Sequence, residues 1–304
     1  MKVFTNKKKM RGYREFLYIL PFIILVAIFA YYPLYGWAYA FFDYKPPKAL
    51  SMDDFVGLKW FRYLVDNPVR IKQTLMVLRN TFAMSGLTIL FSWLPMIFAV
   101  FLNEIKCMPF RKFVQTVTTL PNFISWVLVF SICYCMFNST GMANSLLMGV
   151  LEKPIAFLQS SNHIWLKMWL WSTWKSLGWS AIMYIAAISG IDAELYEAAK
   201  VDGATRMQLI WNITIPSLLP TYFVLLMLNI ANFLSNGMEQ YYVFQNAFNM
   251  DTIQVLDLYV YNLAMGSGSY SVSTALSMLK SLISVILLCG ANTLSKVLRG
   301  DGFI

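Results

Sequence analysis

The chain has 304 residues, of which 58% are hydrophobic and 13% charged, with 23 Phe, 17 Tyr and 10 Trp. A soluble domain of this length carries about 25% charged residues, so the composition excludes an ordinary globular domain in water and points to lipid as the solvent. The formal net charge of +9 would suit a soluble nucleic-acid binder, but here the basic residues are parcelled out between long apolar stretches.

The first 15 residues hold Lys2, Lys7, Lys8, Lys9, Arg11 and Arg14, ahead of an apolar run over 16–42. That run is too long for the core of a secretory signal, about 7–15 residues, and it carries aromatics where a small-residue cleavage site would lie. A bilayer span needs roughly 20 mostly apolar residues. Six stretches qualify: 16–42, 81–102, 113–137, 165–191, 216–236 and 273–298. The expected fold is an all-α integral membrane protein with six transmembrane helices. Its parts are a basic N-terminal segment over 1–15, one transmembrane domain over 16–298 and a short tail over 299–304.

Basic residues enriched in alternate loops mark the cytoplasmic side. The N-terminal segment, Lys106, Arg111 and Lys112 after the second span, Lys200 and Arg206 after the fourth, and Lys296 and Arg299 at the end follow that rule. The loop from Gly237 to Tyr270 holds no Lys or Arg. The first loop runs against the pattern, with seven basic residues between Lys45 and Arg79. Part of that charge, near 70–79, is assigned to a surface helix leading into the second span. Both termini are expected in the cytoplasm, with the chain crossing the bacterial cytoplasmic membrane several times.

Cys133 and Cys135 lie two apart in the third span and so point to different faces. The four cysteines therefore give neither a disulfide framework nor paired zinc ligands. No metal site is expected. His163, the one histidine, stands at the start of the fourth span and reads as a polar boundary residue. The chain has no G-x-x-x-x-G-K-[ST] phosphate cradle, G-x-S-x-G elbow or dinucleotide fingerprint, so any energy source is another chain. Gly266-Ser267-Gly268-Ser269 reads as a flexible loop.

In the fourth span, Ser172, Lys175, Ser176 and Trp179 share a helical face, with Trp171 and Trp174 nearby. A charge there costs at least about 2.5 kcal/mol on insertion scales, so Lys175 must face the interior or meet an anion. In the fifth, Asn229, Asn232, Asn236 and Glu239 recur at three, four and three residues and would line one face. Two readings stay open. The stripe bonds a neighbouring helix, at about 0.6 kcal/mol per contact, or it lines a cavity in which amides meet solute hydroxyls. Lys280 in the last span either joins that path or pairs with an acid. Residues 239–242 read as gate residues or as an interfacial aromatic belt.

Between the fourth and fifth spans, residues 192–216 read as two short helices and a hinge. Asp192 is an N-cap, Glu194 and Glu197 suit a helix start, and Ala198 and Ala199 leave a bare, strongly helical surface. Gly203 is placed to end the first helix in the left-handed conformation. The second helix runs to about Asn212, and Pro216 opens the next span.

Glu197-Ala198-Ala199, Gly203 after three residues, then Ile213-x-Ile215-Pro216 resembles the EAA signature of binding-protein-dependent ABC importer permeases, with Ile215 in place of the more usual Leu. Residues 18–21, 31–36 and 40–46 resemble the first span of sugar permeases. Residues 115–126 resemble the subfamily that serves complex oligosaccharides, many of which have His where this chain has Asn122. The likeness covers nearly the whole chain.

The resemblance implies a type I importer fold, alternating access and an oligosaccharide cargo. It implies a second, homologous permease subunit, two ATPase subunits that hold ATP and Mg, and an extracellular solute-binding protein, lipid-anchored or periplasmic. It makes Glu197, Ala198, Ala199, Asp202, Gly203, Ile213 and Pro216 the ATPase-coupling residues. It favours Ser172, Trp179, Asn229, Asn232 and Asn236 as the substrate path, to which the charged Lys175 and Glu239 on the same stripes are added. The chain itself would be no enzyme, would bind no cofactor and would not touch nucleic acid. The rival readings are a passive channel for polar solutes, which leaves the Ala-Ala and Gly loop without a purpose, a membrane-embedded enzyme, for which no catalytic dyad is evident, and an importer of a solute other than sugar.

Overall fold

The computed structural model describes residues 2–147, 157–158 and 160–299. Among them no strand forms beyond one isolated bridge between Phe42 and Phe55. The residues gather into two compact units, 1–70 with 262–279, and 71–261 with 280–304.

In the first unit, α1 (Lys2–Val26) runs unbroken past residue 15 into a π-helical turn, Ala27–Tyr31, and a 3-10 stretch, Tyr32–Phe41. The change of pitch falls at Pro33, which has no N–H to continue the α-helical ladder. The apolar part, Glu15–Phe41, spans 27 residues. The chain then turns through α2 (Lys59–Asp66), whose buried Leu64 faces inward and whose Trp60 indole donates to the Phe42 carbonyl at 3.0 Å. Ser271 Oγ donates to the same carbonyl at 2.7 Å and accepts the Tyr44 N–H at 3.1 Å. Two of the basic residues in this loop meet carboxylates, Lys48 with Asp54 at 2.8 Å and Lys45 with Asp43 at 3.8 Å, which lowers its effective positive charge.

The helix expected near 70–79 to lead into the second span is continuous with the helix of that span. α3 (Pro68–Leu90) carries Arg70, Lys72 and Arg79 and continues directly into the second span. A turn at 91–93 joins it to α4 (Leu94–Glu104).

In the second unit, α5 (Met108–Thr119) ends in a 3-10 turn, Leu120–Phe123, before α6 (Trp126–Phe137) and α7 (Met142–Leu147). The third span expected over 113–137 is therefore broken. Pro121 supplies no N–H, Ile124 and Ser125 are extended, and Ser125 restarts the helix by accepting the Leu128 N–H. α8 (Ile164–Ser189) is the fourth span. α9 (Ala193–Val201) leaves it at 68°. α10 (Arg206–Leu209) passes through a π turn, Ile210–Thr214, into α11 (Ile215–Ala231).

The fifth span also differs from expectation, because the helix ends at Ala231 and 232–238 are not helical. Three short helices follow, α12 (Glu239–Phe244), α13 (Met250–Ile253) and α14 (Leu256–Tyr261), and then α15 (Tyr270–Arg299). The tail beyond Arg299 lies outside the described residues. Among the described residues five helical stretches are long and apolar enough to cross a bilayer, and the bent pair α8–α9 makes a sixth if it counts as one span.

Two apolar clusters hold this unit. Met96, Ala99 and Val100 of α4 pack on Ala181, Tyr184 and Ile188 of α8 and Leu218 of α11. Met84, Cys133, Ile164 and Met168 pack with Tyr241, Phe244, Ile253, Val255 and Leu258. Polar groups fix the second cluster to α3: Asn80 Nδ2 donates to the carbonyls of Asp251 (2.9 Å) and Gln254 (3.1 Å), and Thr81 Oγ1 accepts the Leu256 N–H.

Candidate coupling loop and transport path

The segment 192–216 is closed at every end. Asp192 Oδ1 accepts the Glu194 N–H at 3.0 Å, which starts α9. At its other end the N–H of Gly203 bonds the carbonyl of Lys200 at 3.0 Å, and that of Ala204 bonds Ala199 at 2.9 Å. This is a Schellman closure with Asp202 as the C-cap. Gly203 has φ +80°, and a Cβ built there meets no atom within 4 Å, so the demand for glycine is conformational. α10 starts from a capping box between Thr205 and Gln208, the structural expression of a T-x-x-Q sequence signal.

The second helix does not stop near Asn212. It continues through the π turn into α11, because Pro216 lacks the N–H that a regular turn would place there and a wider turn absorbs the mismatch. Glu197, Ala198 and Pro216 are exposed, while Ala199 and Ile213 are half-buried. Beside them four large apolar side chains stand in the open: Leu195 (52% exposed), Val201 (89%), Met207 (62%) and Trp211 (62%).

The predicted path residues fall into two groups. Ser172 and Trp179 of α8 and Asn229 of α11 line one cavity of about 410 Å³. Thr88, Ser92, Thr173, Ser176 and Ser180 add hydroxyls to the same wall, and none of its lining residues is charged. Of these hydroxyl residues only Ser176 stood out in the sequence. The others are single hydroxyls in apolar helices, a pattern too common to single out.

Lys175, Asn232, Asn236 and Glu239 are not among the lining residues. The stripe Asn229–Asn232–Asn236–Glu239 is not one helical face, since the helix ends before three of its four members. Asn232 Nδ2 folds back on the Leu228 carbonyl of its own helix at 2.9 Å. Asn236 Nδ2 donates to Ser85 Oγ at 2.9 Å, and Ser85 Oγ donates in turn to the Phe233 carbonyl. Glu239 stands exposed in the first turn of α12.

Lys175 finds backbone oxygens. Its ammonium donates to the carbonyls of Pro121 (3.1 Å) and Asn122 (2.7 Å), in the break of the third span, and lies 5.6 Å from the Trp126 ring. One turn further along α8, Gly178 packs so closely that a Cβ there would stand 2.3 Å from the Thr118 carbonyl oxygen. Lys280 pairs with Asp257, whose other oxygen accepts the Gly237 N–H at 2.9 Å, so the acidic-partner reading of Lys280 holds. Cys133 is buried and Cys135 exposed, on different faces as their spacing predicts. Among the described residues no three His, Cys, Asp or Glu gather as a metal site.

The profile of a family described as "Binding-protein-dependent transport system inner membrane component" matches residues 92–298. LplB of Bacillus subtilis (strain 168) is 36% identical over 289 residues, 94% of this chain and 90% of that protein. The polygalacturonan/rhamnogalacturonan transport system permease YteP of the same organism is 36% identical over 94% of this chain and 89% of its own length. Among solved structures, a chain of a bacterial alginate ABC transporter in complex with an alginate pentasaccharide-bound periplasmic protein is 30% identical. It superposes with a TM-score of 0.85 over 97% of this chain and 98% of that one.

Proposed function

We infer the role of this chain from its membership: it belongs to the binding-protein-dependent transport system inner membrane components, as the membrane-spanning permease subunit of an ABC importer. Its cargo is a carbohydrate, an oligosaccharide, delivered from outside by a solute-binding protein. Support comes from what YteP and the alginate transporter carry and from the wall on which the hydroxyls of Ser172 and Ser176 and the amide of Asn229 stand with Trp179. Amides and hydroxyls both donate and accept, which suits sugar hydroxyls, and a Trp face suits the apolar face of a sugar ring.

The observation that carries the mechanism is the loop 192–216. Two helices with closed ends present Leu195, Val201, Met207 and Trp211 to the outside of this chain. Rigid helices with exposed apolar side chains suit insertion into a cleft of another protein. That protein is a cytoplasmic ATPase subunit, present twice, holding ATP and Mg. This chain pairs with a homologous permease subunit and keeps both termini in the cytoplasm. Closure of the ATPase pair moves Glu197, Ala198, Ala199, Asp202 and Gly203 as a lever, and Ile213 and Pro216 pass the motion to the fifth span. The path then opens alternately outward and inward.

The test is reconstitution. Vesicles with all subunits take up labelled oligosaccharide only with ATP on the ATPase side and solute-binding protein on the other. Uptake that persists without the ATPase defeats this reading and makes the chain a channel.

A further inference from the structure

Lys175 is the one cation of α8 beside the hydroxyl-rich wall, and its obvious role would be to meet an acidic sugar. Its geometry gives it another. The ammonium is taken up by the Pro121 and Asn122 carbonyls at the break in the third span, the first of which also accepts the Ile124 N–H at 3.2 Å. The next residue of the break, Phe123, sets its ring edge-on to Trp179 at 5.7 Å and 88°. Trp179 lines the cavity and is half exposed. One chain of contacts thus runs from Lys175 through Pro121–Phe123 to Trp179, with both ends on α8 a single turn apart. Gly178 closes the same seam by letting the α8 backbone meet Thr118.

We propose that Lys175 is a positioning residue: it holds the break at 120–125 so that Phe123 orients the Trp179 ring in the transport path, and its charge is not offered to the cargo. The half of the path built by this subunit therefore reads ring faces and hydroxyls and does not read carboxylates. Any acidic groups on the cargo are met by other subunits. A substrate anion could compete for Lys175 only by displacing two carbonyls, of which that of Asn122 would lose its side-chain donor. This inference rests on the carbohydrate-importer reading for its cargo, but not for its geometry.

The experiment uses the assembled transporter with 5-fluorotryptophan, the Trp179 fluorine resonance being assigned with Trp179→Phe. Lys175→Met and Phe123→Leu should both shift that resonance, and Lys175→Arg, which can still donate to two carbonyls, should leave it near its original place. Phe123 is 71% exposed, so its substitution leaves the packing of the chain intact. In vesicle uptake, an oligogalacturonide and a neutral arabino-oligosaccharide of equal length serve as probes. Lys175→Met and Phe123→Leu should raise KM by about two- to tenfold, the size of one aromatic contact, with Vmax little changed and the acidic-to-neutral preference unaltered.

An unmoved Trp179 resonance in Lys175→Met overturns the proposal. So does a selective loss of the acidic probe. If the wild type takes up neither probe, the carbohydrate reading fails, while the fluorine resonance still decides whether Lys175 positions Trp179.

Discussion

The Tyr196 hydroxyl and Thr214 Oγ1 lie 2.9 Å apart, a side-chain link from α9 to the π turn that opens α11. Thr214 is 4% exposed, and its hydroxyl also reaches the Leu209 carbonyl at 3.5 Å. The loop is therefore tied to the fifth span across the hinge as well as through the backbone. Tyr196→Phe removes the link and leaves the ring in place, at a stability loss of about 1 kcal/mol because Thr214 keeps its second partner. ATP hydrolysis by the assembled complex should persist while uptake per ATP falls several-fold. Unchanged coupling in that variant would show that the backbone alone carries the stroke.

Gly203 supplies the second prediction. At φ +80° with open space around its Cα, the position resists substitution for conformational reasons only. Gly203→Val should uncouple transport, since a β-branched residue disfavours the left-handed region. Gly203→Asn should retain most activity, since Asn tolerates that region. Uptake by the two variants in the same vesicles checks this, and equal loss in both would point to contact with the ATPase instead.

The ion pair of Lys280 with Asp257 supplies the third. Both side chains are less than one-fifth exposed, and Asp257 also holds the Gly237 N–H. Removing either partner leaves a buried charge, a loss of about 3–5 kcal/mol. Asp257→Ala with Lys280→Ala should cost less than either change alone. The exchanged pair, Asp257→Lys with Lys280→Asp, should not recover wild-type stability, because a lysine at 257 cannot accept the Gly237 N–H. Thermal unfolding of the purified complex reads all four variants.

These relationships differ in how visible they were in the sequence. The loop was legible because each of its signals is local: an Asp N-cap, two alanines, a glycine in register and a proline fix one short arrangement. The six apolar stretches were legible for the same reason. What escaped were effects of contact between distant segments. Lys175 meets carbonyls more than 50 residues away, and Gly178 matters because Thr118 packs against it. The asparagine stripe misled because periodicity presumes a continuous helix, whereas α11 stops at Ala231 once Asn232, Asn236 and Gly237 find partners of their own.

That ending of α11 separates two asparagines that the sequence treats as equals. Asn229 lines the 410 Å³ cavity on a helical turn, whereas Asn232 is exposed and bonded to the Leu228 carbonyl. Asn229→Leu should raise KM for the oligosaccharide, by about tenfold if its amide makes one hydrogen bond to a sugar hydroxyl shielded from water. Asn232→Leu removes only a bond within its own helix end and should leave KM within about twofold, with a stability change under about 1 kcal/mol. Docking of the ATPase should survive in both, since neither residue touches 192–216. A larger KM effect at Asn232 than at Asn229 would mean that the non-helical segment 232–238, rather than the α8–α11 wall, holds the sugar.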